Sequence, residues 1–182
     1  YRPISKALMA EQRVVLLLDE IDRADEEFEA LLLETLAEYQ LTIPELGQIT
    51  AKFIPSIILT SNRTRELSDA LRRRCLYLWV DYPSYEKELE VIRLKVPAVN
   101  LKLAAQAASF VQALRLQQLN KVPGLSEAID WTKALQSTGI KTLDQPAVEN
   151  TIGCLLKDWL DIVKFKKEML KPLLEKVSSD TN

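Results

Sequence analysis

The sequence predicts an α/β fold followed by an all-helical region, and three observations carry that prediction. Residues 14–20 read Val-Val-Leu-Leu-Leu-Asp-Glu, an apolar run that stops abruptly at two carboxylates. A short continuous apolar run of this kind suits a strand of a parallel sheet that is covered on both faces. Two further runs, Phe53 to Thr60 and Cys75 to Val80, each end in polar or turn-forming residues. After Pro83 only helical periodicity remains, so the 182 residues divide into an α/β part over 1–83 and a helical part over 84–182.

Element by element, residues 2–9 close an element that feeds the first strand, at 13–18. Between Asp25 and Gln40 the residues Phe28, Leu31, Leu32, Thr35, Leu36 and Tyr39 share one face at helical spacing, while Glu26, Glu29 and Glu38 fall on other faces. Asp25 is placed to cap that helix and the acids of its first turn suit the dipole. Leu41-Thr42-Ile43 and Gln48-Ile49-Thr50 flank Pro44-Glu45-Leu46-Gly47, which reads as a small hairpin. The strand at 53–60 follows, then a short helix over about 66–73, and then a third strand over 75–80. Helices are expected over about 84–95, 101–119 and 125–138, with a long one over 147–170. Leu103, Ala107, Phe110, Val111 and Leu114 share a face in the second of these. In the last, Ile152, Leu155, Leu156, Trp159 and Val163 do the same, so Trp131 and Trp159 are both expected in the core. Pro97, Pro123-Gly124, Gly139 and Pro146 separate these helices, and the polar tail 178–182 is expected to fray.

Composition narrows the chemistry. A net charge of −2 argues against a dedicated nucleic-acid or anionic-membrane binder, and no apolar run reaches membrane-spanning length. Cys75 and Cys154 read as reduced thiols of a cytoplasmic protein. There is no histidine, which excludes a Ser-His-Asp triad, a His-liganded zinc and imidazole acid–base catalysis. Carboxylates, Lys, Arg and a bound metal remain. Asp19 and Glu20 fall at the carboxyl end of a strand, where open α/β sheets place their ligands. Two adjacent buried carboxylates call for a compensating cation, and a metal-bound nucleotide phosphate supplies one. One acid would then hold Mg²⁺ while the other activates a water.

Three elements occur in a telling order: Asp19-Glu20 at the end of one strand, Asn62 at the end of the next, and Arg72-Arg73-Arg74 at the end of a short helix. This order resembles the Walker B, sensor 1 and arginine finger of AAA+ ATPases. More narrowly, Asp19-Glu20-Ile21-Asp22-Arg23-Ala24, Leu67-Ser68-Asp69-Ala70-Leu71-Arg72-Arg73-Arg74-Cys75, Val80-Asp81-Tyr82-Pro83 and Lys121-Val122-Pro123-Gly124-Leu125-Ser126-Glu127-Ala128 look like the MoxR branch. The resemblance implies a partial AAA+ parallel-sheet core followed by a helical lid. It implies ATP and Mg²⁺ as ligands, with Asp19 as the Mg²⁺ acid, Glu20 as the catalytic base and Asn62 as the sensor. Arg74 is then the finger that enters a neighbouring subunit, with Arg73 its competitor for that role and for contact with nucleotide. It further implies a cytoplasmic homo-oligomeric ring, a hexamer by the family's habit. A von Willebrand factor A-domain protein and a client enzyme are the implied partners.

The sequence departs from the family in two places. No Gly-x₄-Gly-Lys-Ser/Thr occurs among its four glycines, so the phosphate loop is missing and the chain is expected to begin after it. At the sensor-2 position stands Ser126-Glu127, and Glu127 is expected to cap its helix rather than meet phosphates. Arg23 reads as a local partner of Asp22, Asp25 or Glu26, and Lys164, Lys166, Lys167 and Lys171 as a solvated face. The acidic helix and the hairpin are candidate contact surfaces for a partner. Two rivals stand beside the ATPase reading: a catalytically incomplete interaction module without its own ATP binding, and a clamp-loader or helicase motor on DNA, which the near-neutral charge disfavours.

Overall fold

The computed structural model describes residues 2–44 and 47–180; Tyr1, Glu45 and Leu46 within the expected hairpin turn, and Thr181 and Asn182 of the expected frayed tail lie outside the described residues. The chain forms two compact units, Tyr1–Trp79 and Val80–Asn182. The segment 80–83 is held by the second unit, where Gln112 Nε2 donates to the Pro83 carbonyl at 2.9 Å and the Arg115 guanidinium lies 4.6 Å from the Tyr82 ring centre.

In the first unit, α1 (Arg2–Leu8) leads into β1 (Val15–Leu18), which pairs parallel with β4 (Ser56–Leu59) in the register Val15 to Ser56 through Leu18 to Leu59. Between them run α2 (Glu26–Glu38) and an antiparallel hairpin of β2 (Gln40–Ile43) and β3 (Gly47–Thr50). Asp25 caps α2 as its chemistry suggests, its carboxylate accepting from Phe28 N at 2.8 Å. Gly47 takes φ 84°, the left-handed turn that closes a hairpin without a Cβ clash. Glu34 ties the hairpin to α2 by accepting from Thr42 N and Oγ1. Ile4, Leu8, Leu16, Ile21, Leu32, Leu41 and Leu71 are buried together, so one face of the β1–β4 pair has a core beneath it.

The other face does not. Val15 is 66% exposed and Leu17 and Ile58 are also exposed, so β1 is not covered on both faces as its apolar run suggests. The third strand is likewise absent: Leu76 to Val80 form no strand and are exposed. Among the described residues the sheet is only two strands wide; residues 76–80 pair with neither of its open edges, and its second face is left exposed. The short helix is also shorter than expected, α3 being Asp69–Arg72 with Ser68 as its cap.

The second unit contains α4 (Tyr85–Lys95), α5 (Leu101–Arg115), α6 (Leu125–Ser137), α7 (Gln145–Thr151), α8 (Trp159–Lys164) and α9 (Leu170–Asp180). The apolar face of α5 lies at the centre, against α4, α6 and α9. Phe110 meets Trp131 at 5.1 Å between ring centres and Phe165 edge-on at 6.0 Å. The Trp131 indole N–H donates to Thr151 Oγ1 at 2.7 Å, which satisfies the one polar atom of a buried ring.

The long helix expected over 147–170 is interrupted. It ends around Gly153, restarts where Asp158 caps α8 through Asp161 N, and passes through a π-turn at Phe165–Met169 before α9. Pro172 gives the physical reason for the π-turn, because its ring would clash with the carbonyl four residues back and its missing N–H cannot close a regular helix. The break turns Trp159 outward, 74% exposed instead of in the core. Ser178 and Ser179 lie in α9 with their hydroxyls bonded to Leu174 and Lys176 carbonyls, so this part of the tail is helical.

A buried ion pair fastens the start of this unit. Glu88 is wholly buried in α4 and receives both guanidinium nitrogens of Arg115, at 2.8 and 2.6 Å, together with Gln112 Nε2 at 2.7 Å. Arg115 Nε is spent on the Pro123 carbonyl at 2.9 Å. Removing one partner leaves a buried charge, so Glu88→Ala should lower stability by about 3–5 kcal/mol, whereas replacing Glu88 and Arg115 together by Met and Leu should cost much less. Urea unfolding of the single and double variants checks this. By the same method Trp131→Ala should cost about 3–5 kcal/mol, and Trp159→Ala less than about 0.5 kcal/mol.

Candidate active site

The parallel register brings the ends of β1 and β4 level, and the pairing continues past both strands. Thr60 N donates to the Leu18 carbonyl at 3.0 Å, and Ile21 N donates to the Thr60 carbonyl at 3.0 Å. Thr60 Oγ1 accepts from Glu20 N at 3.0 Å and donates to Asp19 Oδ1, so one hydroxyl sets both acids. Glu20 takes φ 52°, a left-handed turn that a non-glycine residue rarely adopts. The Asn62 amide then donates to Glu20 Oε1 at 2.9 Å, and Arg23 Nη1 lies 3.0 Å from Oε2. Asp19, Glu20 and Asn62 therefore converge as the sequence suggests.

Two expectations at this site are corrected. The acids are not buried: Asp19 is exposed and the Glu20 side chain is 41% exposed, because the strand ends open to solvent. Arg23 pairs with Glu20 rather than with Asp22, Asp25 or Glu26, since the 3-10 turn at Ile21–Arg23 returns its side chain over the acid three residues back. Such an exposed i,i+3 pair is worth about 0–1 kcal/mol.

Below the exposed acids lies a buried layer that sequence patterning misses. Asp22 is 2% exposed and its carboxylate accepts from Asn62 N at 3.2 Å and from Thr64 N and Oγ1 at 2.7 and 2.6 Å. Between those donors Arg63 is forced to φ 58°, a left-handed conformation of the kind that costs about 1–3 kcal/mol and persists only when neighbours impose it. Its guanidinium stacks 5.3 Å from the Trp79 ring centre. Farther along, Glu29, expected off the apolar face of α2, is buried. It accepts from Ser68 N at 2.8 Å and from Arg65 Nη2 at 3.0 Å, while Arg65 also reaches the Ala24 carbonyl. The segment 62–68 is thus pinned at one end by Asp22 of the turn after β1 and at the other by Glu29 of α2. The polar run 60–64 carries no periodicity, so the pattern gives no sign of these contacts.

The arginines stand at the far end of that pinned segment. Arg72, Arg73 and Arg74 are all exposed. Arg72 pairs with Asp69, and Arg74 Nη1 donates to the Ala70 carbonyl at 3.1 Å. The Arg73 guanidinium has no hydrogen-bonding partner among the described residues. None of the three reaches Glu20. Burial raises the pKa of the Cys75 thiol beside them, which leaves it a poor nucleophile. Glu127 accepts from Gly124 N at 3.0 Å and caps α6, as expected. Lys166, Lys167 and Lys171 are solvated, and Lys164 donates to the Gln118 carbonyl.

As a Mg²⁺ site the residues offer one carboxylate, Asp19; among the described residues no cluster of three or more acidic, His or Cys side chains could hold a metal. That suits an ion which keeps several waters and takes substrate phosphates as ligands. For the phosphates themselves the chain provides no glycine-rich cradle, so these residues alone do not fit a bound nucleotide.

No family model matches the sequence, and no curated protein matches it. Two solved structures of RuvB, an AAA+ protein, from Thermotoga maritima do resemble it, each of a mutant form. One has a TM-score of 0.57 and 22% identity, covering 96% of this chain and 56% of that one. The other has a TM-score of 0.54 and 21% identity, covering 87% and 50%. The fold is therefore mixed α/β with a parallel sheet and a following set of helices, similar to that of the RuvB structures. This chain spans about half the length of the RuvB chains it resembles. Among the described residues no helix is long and apolar enough to cross a membrane.

The pinned segment has a pH signature. Hydrogen bonds from Thr64, side chain first, hold the Asp22 carboxyl well below the usual range, and bonding from Ser68 and then Arg65 lowers that of Glu29, both against the opposing effect of burial. A folded-state pKa below the unfolded one contributes stability that is complete above the ordinary carboxylate range and is lost as pH falls through it toward the folded value. Stability of the first unit should therefore be insensitive to these two acids from pH 7 to about 5 and should decline below about pH 4. Urea titrations across this range check the sign, and Asp22→Asn should flatten the acid limb.

Proposed function

We propose that this chain is part of an ATPase of the AAA+ class, and that Glu20 is the base which takes the proton from the water attacking ATP. The observation that carries the reading is the 2.9 Å contact between Asn62 Nδ2 and Glu20 Oε1 at the carboxyl ends of adjacent parallel strands. An amide so placed orients both the carboxylate and a water beside it. Asp19 next to it would hold Mg²⁺, which neutralises phosphate charge when bound. The missing phosphate cradle must come from residues that the 182-residue chain does not include. The MoxR branch is the narrower assignment, supported by Asp19 to Ala24 and Leu67 to Cys75 as they stand. On that assignment residues 1–83 complete a nucleotide-binding core and 84–182 form its lid. The protein works as a cytoplasmic ring of six subunits that remodels or matures a client enzyme, with a von Willebrand factor A-domain protein as partner.

Glu20→Gln in the full-length protein should leave ATP binding within about twofold and lower turnover by about 10²–10⁴. Unchanged hydrolysis would remove Glu20 from the chemistry. The finger is read at Arg74, with the unpartnered Arg73 tested beside it. Loss of the correct one should cost about 10³–10⁵ in kcat. Mixed rings of Arg74→Ala and Glu20→Gln subunits should regain turnover, because an interface pairing an intact Glu20 with a neighbour's intact Arg74 is complete. No recovery would place the arginine's action within its own subunit. A full-length protein with no hydrolysis at all would favour the rival reading, an AAA+-derived module that regulates or scaffolds active subunits.

A further inference from the structure

Asp22 takes no part in the reading above, yet it is the most completely engaged carboxylate in the first unit. It lies two residues beyond Glu20 and is 2% exposed. Its two oxygens take three donors from a segment forty residues away: Asn62 N on Oδ1, and Thr64 N and Oγ1 on Oδ2. Those donors flank Arg63, whose left-handed φ of 58° makes residues 62–64 curl around the carboxylate. The Asn62 side chain is itself exposed, and its one hydrogen bond among the described residues is the one to Glu20. An exposed amide on a loop has rotamer freedom, and only a fixed backbone beneath it makes a defined approach to Glu20 the favoured one. Ile21 N and Glu20 N bond to Thr60, which fixes the acid's side of the contact. Asp22 fixes the amide's side.

We propose that Asp22 is a positioning residue of this site: its buried carboxylate sets the Asn62 backbone so that the Asn62 amide addresses Glu20. The proposal rests on the ATPase reading and deepens it. Asp22 does not touch water or phosphate; it acts through Asn62. Asp22→Asn keeps the volume but turns one acceptor into an N–H donor facing other donors, so the curl around 62–64 must open.

The test is a double-mutant cycle on hydrolysis by the full-length protein. Asp22→Asn should lower kcat at least about tenfold with KM for ATP within about twofold. The same change made on top of Asn62→Ala should lower kcat by less than about twofold, because coupled residues are not additive. Thr64→Val deletes only the hydroxyl donor and keeps the fold within reach if Asp22→Asn does not. It should give a smaller loss in kcat that also vanishes in the Asn62→Ala background. Equal losses in both backgrounds, or a loss carried by KM, would overturn the positioning role while leaving the ATPase reading intact. A wild-type protein without hydrolysis would overturn the ATPase reading, and this proposal with it.

Discussion

The register between two short parallel strands is the constraint on which the site depends. Leu18 faces Leu59, and the bonds from Thr60 to Leu18 and from Ile21 to Thr60 carry that alignment past the strand ends. A slip of one residue would exchange the faces of every side chain on the strand. It would bury Leu17 in place of Leu16 and separate Glu20 from Asn62. The core under Leu16 and Ile57 therefore decides where an acid and an amide meet, although neither belongs to the core. Chemistry at this site is a consequence of apolar packing one layer down.

Two buried acids, Glu88 and Asp22, are compensated in different ways. Glu88 is compensated by a full positive charge, with Arg115 and Gln112 satisfying its lone pairs. Asp22 is compensated by neutral donors alone, two of them backbone amides. A charged partner can be replaced together with its acid, so the first arrangement is exchangeable for an apolar one. Backbone donors survive every side-chain substitution except proline. The second arrangement therefore ties a conformation, and not merely a contact, to one carboxylate.

Much of this was legible in the sequence because it follows from local patterns. The α2 cap at Asp25, the apolar face of α5, the hairpin around Gly47 and the order of Asp19, Glu20, Asn62 and the arginines all rest on spacing or on turn chemistry. What was not legible depends on partners distant in the chain. Trp159 has the same helical phase as Leu155 and Leu156, but the chain breaks before it, so phase no longer sets direction. Glu29 sits where a solvated acid would sit and is buried only because Arg65 and Ser68 arrive from elsewhere. Residues 76–80 have the composition of a strand, yet they pair with neither open edge of the β1–β4 pair, and composition alone does not decide pairing. In Asp22 the sequence shows one more acid in an acidic stretch; only the fold of residues 62–64 around it gives it a role.

The open face of β1 and the exposed run from Leu76 to Val80 also bear on how this polypeptide behaves in a test tube. Strand edges without partners and a row of solvent-facing Val, Leu, Ile and Trp are the features through which chains adhere to one another. A solution of these residues is a colloid problem before it is an enzymology problem. Surfactant, dilution or a cognate covering segment would then govern whether the material stays monodisperse long enough to be studied.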